Sequence, residues 1–409
     1  MPPKDSDDLT IMAVGDVHVD RADPPSVFAL IAPVLRQGDI VVGNLEGILS
    51  NRGEPILGKI EIGSRHLRSA PENVEALTSA GFNAMVMANN HDMDYGPEGL
   101  LQSMETLDRV NIAHAGGGRN LEEAHRLMIL ERNGTRVAIL SYTSIFPPAG
   151  YAAEENKAGL ATIRVYTSYQ APENIMYMPG ATPLITTLPD QVEEDRMIAD
   201  VRQAKQSADI VLVAFHWGVS WGRGVVVGYQ KELGRAAIDA GADLILGAHP
   251  HRLMAMEIYK EKLICYSLGN FVMDGMRRWS HWGEEDTLIL KCSVHNKRIK
   301  KYSFIPTCTN SEWQPYLANL ERSREIARQM ESVSQEFGTN FTMDDSEVVI
   351  SGPRPGTPQA QRGWSIEPHR GLPVLVDTPF PLSYITKKLQ GIYGREKATG
   401  GDYTRSGLE

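Results

Sequence analysis

Cysteine is scarce in this sequence of 409 residues, which contains only Cys265, Cys292 and Cys308. Three scattered cysteines are too few for a disulfide framework or a zinc ribbon. Long apolar runs are missing as well, and none approaches the roughly 20 residues that a membrane-spanning helix needs. Segment 1–8 lacks the basic-then-apolar order of a signal peptide and reads as a disordered N-terminus. We therefore expect a cytoplasmic protein without a membrane anchor.

Positive charge is also in short supply, because 41 basic residues face 51 acidic ones and the net charge is −10. This balance argues against non-specific binding to nucleic acid or to an anionic membrane. The chain is long enough, and at 42% hydrophobic residues apolar enough, to bury a large core. The sequence leaves the oligomeric state open.

Short apolar runs alternate with helix-like segments in two blocks, which is typical of a sheet with crossover helices. The runs that read as strands are 9–14, 40–42, 84–87, 210–215 and 244–247. The segments with helical spacing are 26–36, 71–80, 97–108, 191–206 and 228–240. Further on, four short segments without helical spacing are predicted to be antiparallel strands that close a second sheet: 254–259, 263–266, 287–294 and 299–305.

These patterns predict one main α/β domain over residues 9–310. Within it, residues 145–190 are rich in proline and aromatic residues and are too long for an ordinary loop, so we expect a covering insertion. Residues 314–337 read as an amphipathic helix with Leu317, Leu320, Ile326 and Met330 on one side. This helix and an irregular extension, spanning 311–409, are expected to pack on the domain, with a disordered end.

Polar side chains with metal-ligand chemistry follow five of the predicted strands. The groups are Asp16-Val17-His18, Asn44-Leu45-Glu46, Asn89-Asn90-His91-Asp92, His216-Trp217-Gly218 and His249-Pro250-His251. Open α/β sheets bind ligands outside the carboxyl ends of their strands, so these groups are expected to meet. Imidazole and carboxylate suit Zn²⁺, Mn²⁺ or Fe²⁺. We predict a centre of one or two such ions and no other cofactor.

The spacing within two of these groups supports this prediction. Asp16 and His18 are two residues apart, as are His249 and His251, so on extended chain each pair points to one side. A lone histidine after a strand is more often a surface or core residue than a ligand. Histidines at several strand ends together favour the metal site.

The longer motifs resemble a known family. They are Gly43-Asn44-Leu45-Glu46, Ala88-Asn89-Asn90-His91-Asp92-Met93-Asp94-Tyr95-Gly96, Phe215-His216-Trp217-Gly218, Gly247-Ala248-His249-Pro250-His251 and Tyr266-Ser267-Leu268-Gly269-Asn270-Phe271. Over residues 9–305 the chain resembles the calcineurin-like metallophosphoesterases and, more closely, their bacterial capsule-synthesis or poly-γ-glutamate (CapA-type) branch. The resemblance implies a metallo-dependent phosphatase-like fold, a four-layer α-β-β-α sandwich of two mixed sheets with metals at the strand ends.

The resemblance also implies roles for single residues. One ion would be held by Asp16, His18 and His251, and the other by Asn90, His216 and His249. The family's bridging position falls on the segment with Glu46, the candidate bridge, and Asn44, a second metal contact. His91 would face the substrate as a proton donor or electrostatic stabiliser, and Asp92 would orient it.

Several residues outside the metal set have two readings. Arg223 is a candidate to grip a substrate carboxylate or phosphate, while Trp217 and Trp221 form either a substrate wall or a packed aromatic corner. Asn270 belongs either to the site or to a turn. The run Arg277-Arg278-Trp279-Ser280-His281-Trp282 suits an anion or an aromatic peptide, although a solvated loop explains it too.

Three functions follow from this site. The first is a metal-dependent hydrolase acting on an amide, ester or phosphoester of a carboxyl-bearing or peptide-like substrate. The second is a peptide epimerase, in which the same groups remove and return a Cα proton. The third is a non-catalytic capsule or polyglutamate assembly factor. The metal-ligand pairs favour an enzyme whose partner is a small-molecule or peptide substrate.

Overall fold

The structure is a computed structural model that describes residues 8–61, 64–171, 180, 183–220, 225–274 and 285–353. The predicted disordered end of the chain and most of segment 1–8 lie outside the described residues. The chain divides into two compact units. One comprises Met1–Gln170 and Ile185–Gln361, and it contains every element discussed below except the first residue of one strand. The other comprises Ala171–Leu184 and Arg362–Glu409 and is almost entirely outside the described residues.

The strands, in chain order, are β1 (Leu9–His18), β2 (Ile40–Leu45), β3 (Ile48–Leu49), β4 (Arg68–Ser69), β5 (Ala84–Val86), β6 (Ala113–Ala115), β7 (Gly117–Gly118), β8 (Met128–Arg132), β9 (Thr135–Thr143), β10 (Gly159–Leu160), β11 (Val165–Gln170), β12 (Leu184–Pro189), β13 (Ile210–His216), β14 (Leu244–Ala248), β15 (Met256–Tyr259), β16 (Lys262–Cys265), β17 (Asn270–Met273), β18 (Glu285–His295), β19 (Arg298–Thr309), β20 (Pro315–Leu317), β21 (Asn340–Asp344) and β22 (Glu347–Ser351).

The helices are α1 (Ala32–Leu35), α2 (Leu57–Glu61), α3 (Val74–Ala80), α4 (Gly96–Arg109), α5 (Leu121–Ala124), α6 (Gln191–Ser207), α7 (Gly228–Ala240) and α8 (Leu320–Val333). Short 3-10 helices cover Pro24–Phe28, Pro71–Asn73 and Gln335–Phe337. Among the described residues, no helix combines the length and the apolar composition needed to cross a membrane.

Two mixed sheets form the body of the main unit. The ten-stranded sheet has the order β21-β22-β19-β18-β1-β2-β5-β6, with β17 also paired to β1 and β20 to β19. The six-stranded sheet has the order β15-β16-β14-β13-β9-β8. The strands β1, β2 and β5 of the first sheet run parallel, as do β9, β13 and β14 of the second.

The alternation of side chains along the central strands explains how the layers are held together. In β1, Ile11 and Ala13 belong to the apolar core shared by both sheets, while Met12 and Val14 pack in the cluster that contains α3 and α4. In β13, the residues starting at Ile210 alternate in the same way between the shared core and the cluster with α6 and α7. A strand buried on both faces needs this continuous apolar character. The predicted α-β-β-α sandwich is confirmed.

The helix predicted over 26–36 is wrong, because a 3-10 helix at Pro24–Phe28 is followed by the four-residue α1. Pro33 has no amide hydrogen to donate, so it fits near the first position of α1 and not the interior of a longer helix. By contrast, the stop predicted after residue 80 is confirmed. Gly81 caps α3 with φ of 92°, a left-handed conformation that glycine adopts without steric cost.

The strands predicted between 254 and 305 do exist, but they do not close one second sheet. The hairpin β15–β16 extends the six-stranded sheet through β14, whereas β18–β19 pairs with β1 in the ten-stranded sheet. Both hairpins contribute apolar side chains to the shared core. The local residue pattern of a hairpin therefore does not show which distant strand it will pair with.

The helix predicted over 314–337 is shorter than expected. Residues 315–317 form β20, which pairs with β19, and Leu317 is largely exposed. The helix begins after Asn319, whose side chain accepts a hydrogen bond from the backbone N–H of Arg322 at 2.9 Å, a normal N-terminal cap. Ile326 and Met330 are buried in the core between the sheets, so α8 completes this layer.

Candidate metal centre

The polar side chains predicted at the strand ends lie where parallel strands of both sheets terminate. Asp16 in β1 is the register partner of Asn44 in β2, and His216 is the last residue of β13, beside Ala248 of β14. Irregular pairing around Asp16 separates it from the regular ladder of β1. Such a bulge redirects a side chain at the end of a strand.

Asp16, Glu46 and His216 form a close group of potential metal ligands within the described part of the chain. Each offers one ligand atom, and these atoms all lie within 4.8 Å of one another. All three side chains are buried. Burial, followed by the nearby Asp16 carboxylate, raises the pKa of Glu46 well above its usual range. Two carboxylates this close together ionise together only with a cation nearby, because their like charges repel each other.

His251 supplies positive charge beside these two carboxylates. Its Nδ1 lies 3.4 Å from Oδ2 of Asp16 and its Nε2 lies 3.4 Å from Oε1 of Glu46. Burial lowers the pKa of His251, but the opposing effects of Glu46, Asp16 and Asn270 are larger together, and the pKa is raised to about 10. The imidazolium therefore supplies the same kind of charge to these two carboxylates as a bound metal ion would.

Asn90, His216 and His249 also converge. Nε2 of His216 lies 2.6 Å from Oδ1 of Asn90, and the imidazole rings of His216 and His249 are 4.9 Å apart. Burial, and then the neighbouring histidines, lower the pKa of both His216 and His249 well below the usual value. Both imidazoles are therefore neutral, which is the form that binds metal.

The backbone at the second histidine pair is strained. His249 has φ of 92° and His251 has φ of 56°, although both carry a Cβ. Such conformations cost on the order of 1–3 kcal/mol each and concentrate at functional sites. Here they accompany the placement of both imidazoles at one centre, with ring centroids 5.9 Å apart.

Unsatisfied polar atoms provide a test of whether these residues suit a metal ion. Within the described part of the chain, Oε2 of Glu46 and Nδ1 of His249 are buried without a hydrogen-bond partner, while Oδ2 of Asp16 and Oε1 of Glu46 each lie 3.4 Å from a nitrogen of His251. Leaving such atoms without a partner costs free energy, and native proteins rarely do so. The mixture of carboxylate oxygen and imidazole nitrogen matches borderline divalent ions. The residues present fit a metal.

His18 and Asn44 lie at the edge of this group. His18 is buried, and its imidazole hydrogen-bonds the backbone of Glu46. Gly47 has φ of 106°, and a Cβ there would come within 2.9 Å of Nδ1 of His18, so glycine makes the room for this ring. The side-chain nitrogen of Asn44 donates to Oδ1 of Asp16 at 2.8 Å. Asn44 therefore orients Asp16, and its role as a second metal contact stays a prediction.

The carboxylate that orients His91 is Asp94 and not Asp92. Nδ1 of His91 lies 2.6 Å from Oδ2 of Asp94, while Oδ2 of Asp92 accepts from the side chain of Asn89 at 2.8 Å. Residues 91–94 form a hydrogen-bonded turn, in which side chains three apart come together and adjacent ones do not. The other ring nitrogen of His91, Nε2, lies 3.9 Å from Oε1 of Glu46.

Two further residues of this network were not predicted. Lys59 of α2 forms a salt bridge with Asp94, and the hydroxyl of Tyr151 donates to Oδ1 of Asp94 at 3.0 Å. Burial raises the pKa of Asp94, but the contacts of His91 and Lys59 outweigh it and lower the value. Asp94 belongs to the motif at residues 88–96, so the sequence could have indicated it as the partner of His91. Lys59 lies in the short helix α2, and no sequence motif marks it.

The remaining candidates divide into two groups. Arg223, Trp221 and the run 277–282 lie outside the described residues. Trp217 is fully buried, stacks on Phe215 with ring centroids 4.5 Å apart, and donates its indole N–H to a backbone carbonyl, so it is a packed core residue. Asn270 belongs to the site, because its Oδ1 lies 2.9 Å from Nδ1 of His251.

The insertion at 145–190 begins at the edge that carries the centre. The backbone N–H of Ser144 donates to the carbonyl of His216 at 2.9 Å, and Tyr151 contacts Asp94. The later part includes β10, which pairs with β7, and the small sheet β11–β12. Residues 172–179, 181 and 182 lie outside the described residues, and the covering role stays a prediction.

Comparison with known proteins gives related sequences. The chain is 29% identical over 360 residues to capsule biosynthesis protein CapA of Bacillus anthracis, covering 85% of this chain and 78% of that protein. It is 32% identical over 279 residues to PGA biosynthesis protein CapA of Bacillus subtilis, covering 66% and 64%. The likeness to a solved calcineurin-like phosphoesterase, YfkN of Bacillus subtilis, is weak, with 14% identity and a TM-score of 0.33 over 80% of this chain and 97% of that one.

The bacterial capsule synthesis protein family, PGA_cap, matches residues 10–275. This range contains every strand end of the metal centre and the whole of the network around His91. The resemblance inferred from the motifs is thereby confirmed, and the chain belongs to the PGA_cap family of bacterial capsule synthesis proteins.

Proposed function

We propose that this protein is a metal-dependent hydrolase that cleaves an amide, ester or phosphoester bond in a carboxyl-bearing or peptide-like substrate. The observation that carries the proposal is the position of His91, held by Asp94 on one nitrogen and facing Glu46 with the other. The names of the two CapA relatives connect the substrate to capsule or polyglutamate biosynthesis. A γ-glutamyl amide has the required carboxylate and amide.

The ligand set for this activity is Asp16, Glu46, Asn90, His216, His249 and His251, with His18 as the outermost member. One or two divalent ions, Mn²⁺, Zn²⁺ or Fe²⁺, are the candidates. When bound, such an ion lowers the pKa of a coordinated water and polarises the scissile oxygen. Asp16 and Glu46 then lose their mutual repulsion, and Asn44 and Asn270 hold Asp16 and His251 in place by hydrogen bonds.

The chemistry of His91 follows from its two nitrogens. Asp94 accepts a hydrogen bond from Nδ1–H of His91. The neutral ring therefore presents the lone pair of Nε2 towards Glu46. Burial lowers the pKa of His91 to about 4, although Asp94 opposes this effect. The ring is therefore neutral at neutral pH and begins the reaction as the proton acceptor. It accepts a proton at Nε2 from the attacking water and returns it to the leaving group.

The same observation favours a second function, epimerisation of a peptide. A neutral imidazole with a free Nε2 lone pair is also suited to remove a Cα proton, and the centre would stabilise the resulting enolate. The two functions share every residue and differ only in whether water attacks. A non-catalytic assembly role predicts that the site retains metal but turns over nothing.

Metal content and a substrate panel test the proposal together. Protein purified without chelator is expected to carry one or two equivalents of a transition metal in elemental analysis. It is then assayed on p-nitrophenyl phosphates, γ-glutamyl amides and short peptides in D₂O. Hydrolysis supports the hydrolase, and deuterium incorporation without hydrolysis supports the epimerase. Metal without either reaction would favour the assembly role, and absence of metal would contradict the proposal.

Metal binding is also expected to release protons. The pKa of His251 is about 10, so this imidazole holds a proton near neutral pH, and burial together with the nearby Asp16 carboxylate raises the pKa of Glu46 as well. Ligands must lose these protons, and the affinity for Mn²⁺ should therefore rise with pH, roughly tenfold per pH unit for each proton released. Titration calorimetry in two buffers of different ionisation enthalpy measures the number of protons. A heat of binding that is the same in both buffers would contradict this expectation.

A further inference from the structure

A single buried ammonium contacts both ends of the turn that carries His91. Nζ of Lys59 hydrogen-bonds the backbone carbonyl of Asn90, at the start of the turn, and the carboxylate of Asp94, at its end. The side chain is almost fully buried, with 6% of its surface exposed. The first of these residues is a proposed metal ligand, and the histidine proposed to transfer the proton lies between the two.

The surroundings of Asp94 show how closely the ammonium is integrated. One carboxylate oxygen accepts from Lys59 and Tyr151, and the other accepts from His91 and the backbone N–H of Leu67. Nζ of Lys59 also lies 5.6 Å from the centre of the Tyr151 ring, within range of a cation–π contact. Lys59 therefore supplies charge, two hydrogen bonds and a packing surface at one point.

We propose that Lys59 is a positioning residue of the metal centre, which fixes Asn90 as a ligand and His91 in its reactive orientation. The proposal rests on the proposed function, since it assumes that Asn90 binds metal. Lys59 touches neither the ligand atoms nor the reactive Nε2, and it acts through the Asn90 carbonyl and the Asp94 carboxylate.

The chemistry of the position explains why a lysine occupies it. The buried Asp94 carboxylate needs a compensating charge, because an ionised group without one is costly away from water. An ammonium is a compact point charge that reaches two acceptors in different directions, whereas a guanidinium is planar and wider. An apolar side chain would remove the hydrogen-bond donor that the Asn90 carbonyl and the Asp94 carboxylate share, and the two ends of this segment would no longer be linked.

Cobalt binding measures this role without relying on turnover. Metal-free protein is titrated with Co²⁺, and the visible absorption of the bound ion reports its affinity and its coordination. Lys59→Met is expected to weaken the ion held by Asn90 roughly 10–100-fold, as the loss of partners that orient metal ligands commonly does. Lys59→Gln, which keeps an N–H donor without the charge, is expected to fall between Lys59→Met and wild type.

Two controls separate positioning from general stability. Lys262→Met removes a partly buried salt bridge to Asp243, whose other partner is Lys205, and is expected to leave Co²⁺ binding unchanged. In Lys59→Ala, added ethylammonium should occupy the vacated space and restore much of the Co²⁺ affinity. The effect of Lys59→Met should also be smaller in an Asp94→Asn background, because the salt bridge to Asp94 is one of the two contacts through which Lys59 acts.

The outcomes are distinct. If Lys59→Met and Lys59→Gln lower the melting temperature but bind Co²⁺ as wild type does, Lys59 is only structural and the proposal is overturned. If ethylammonium gives no rescue and the effects of Lys59→Met and Asp94→Asn add, positioning through Asp94 is also overturned. If the wild-type protein itself binds no Co²⁺, the proposed function fails and the positioning role fails with it.

Discussion

Replacing His91 by alanine is expected to reduce kcat by roughly 10²–10⁴-fold while the protein keeps its metal and its fold. The reason is geometric: Nδ1 of His91 is engaged by Asp94, and Nε2 faces Glu46 without being needed as a ligand. Steady-state kinetics on the substrate that the panel identifies gives kcat, and elemental analysis gives metal content. Unchanged kcat in His91→Ala would require another group to transfer the proton.

A matched control is His125, which is partly buried and is also paired with a carboxylate through Nδ1, at 2.8 Å from Asp200. His125→Ala removes a similar histidine–aspartate pair on a different part of the fold, so kcat should stay close to wild type. A second comparison uses the two candidate orienting carboxylates. Asp94→Asn is expected to lower kcat strongly and Asp92→Asn weakly, because only Asp94 contacts the ring. The reverse order would contradict the assignment of Asp94.

Replacing Asp16 by alanine is expected to abolish metal retention and activity together. Asp16 lies at the middle of the centre, near Glu46 and His216, 3.4 Å from His251 and hydrogen-bonded to Asn44. The loss should exceed the roughly 10–100-fold that removal of an outer partner costs, because Asp16 is itself a proposed ligand. Dialysis against metal-free buffer followed by elemental analysis measures it.

Asp243→Ala serves as the control for the loss of a buried carboxylate. Asp243 is bound by Lys205 and Lys262 and by the backbone N–H of Val211. Its removal is expected to lower stability but to leave the metal content unchanged. If Asp16→Ala retains its metal through dialysis, Asp16 is not a ligand. The buried Oε2 of Glu46, which has no hydrogen-bond partner, would then need another explanation.

The sequence by itself determined the periodic parts of the fold and the chemistry of the centre. Runs such as Ile11 to Val14 specify strands buried on both faces, because every position is apolar and either side of the sheet is covered. The same runs locate the strand ends, and the polar groups that follow them contain all the candidate ligands that later meet. Local residue order is sufficient here, since each signal extends over fewer than about ten residues.

Only the tertiary structure decided which of these groups touch. His91 pairs with Asp94 instead of Asp92 because of the shape of one turn, and Asn44 binds Asp16 because β1 and β2 lie side by side in that register. Lys59 enters the site from α2, a short helix with no motif to mark it. The two hairpins join different sheets. Apart from the His91–Asp94 pair, which the turn at 91–94 decides, these outcomes depend on packing between segments far apart in the chain. A local pattern does not encode which remote surface a side chain will meet.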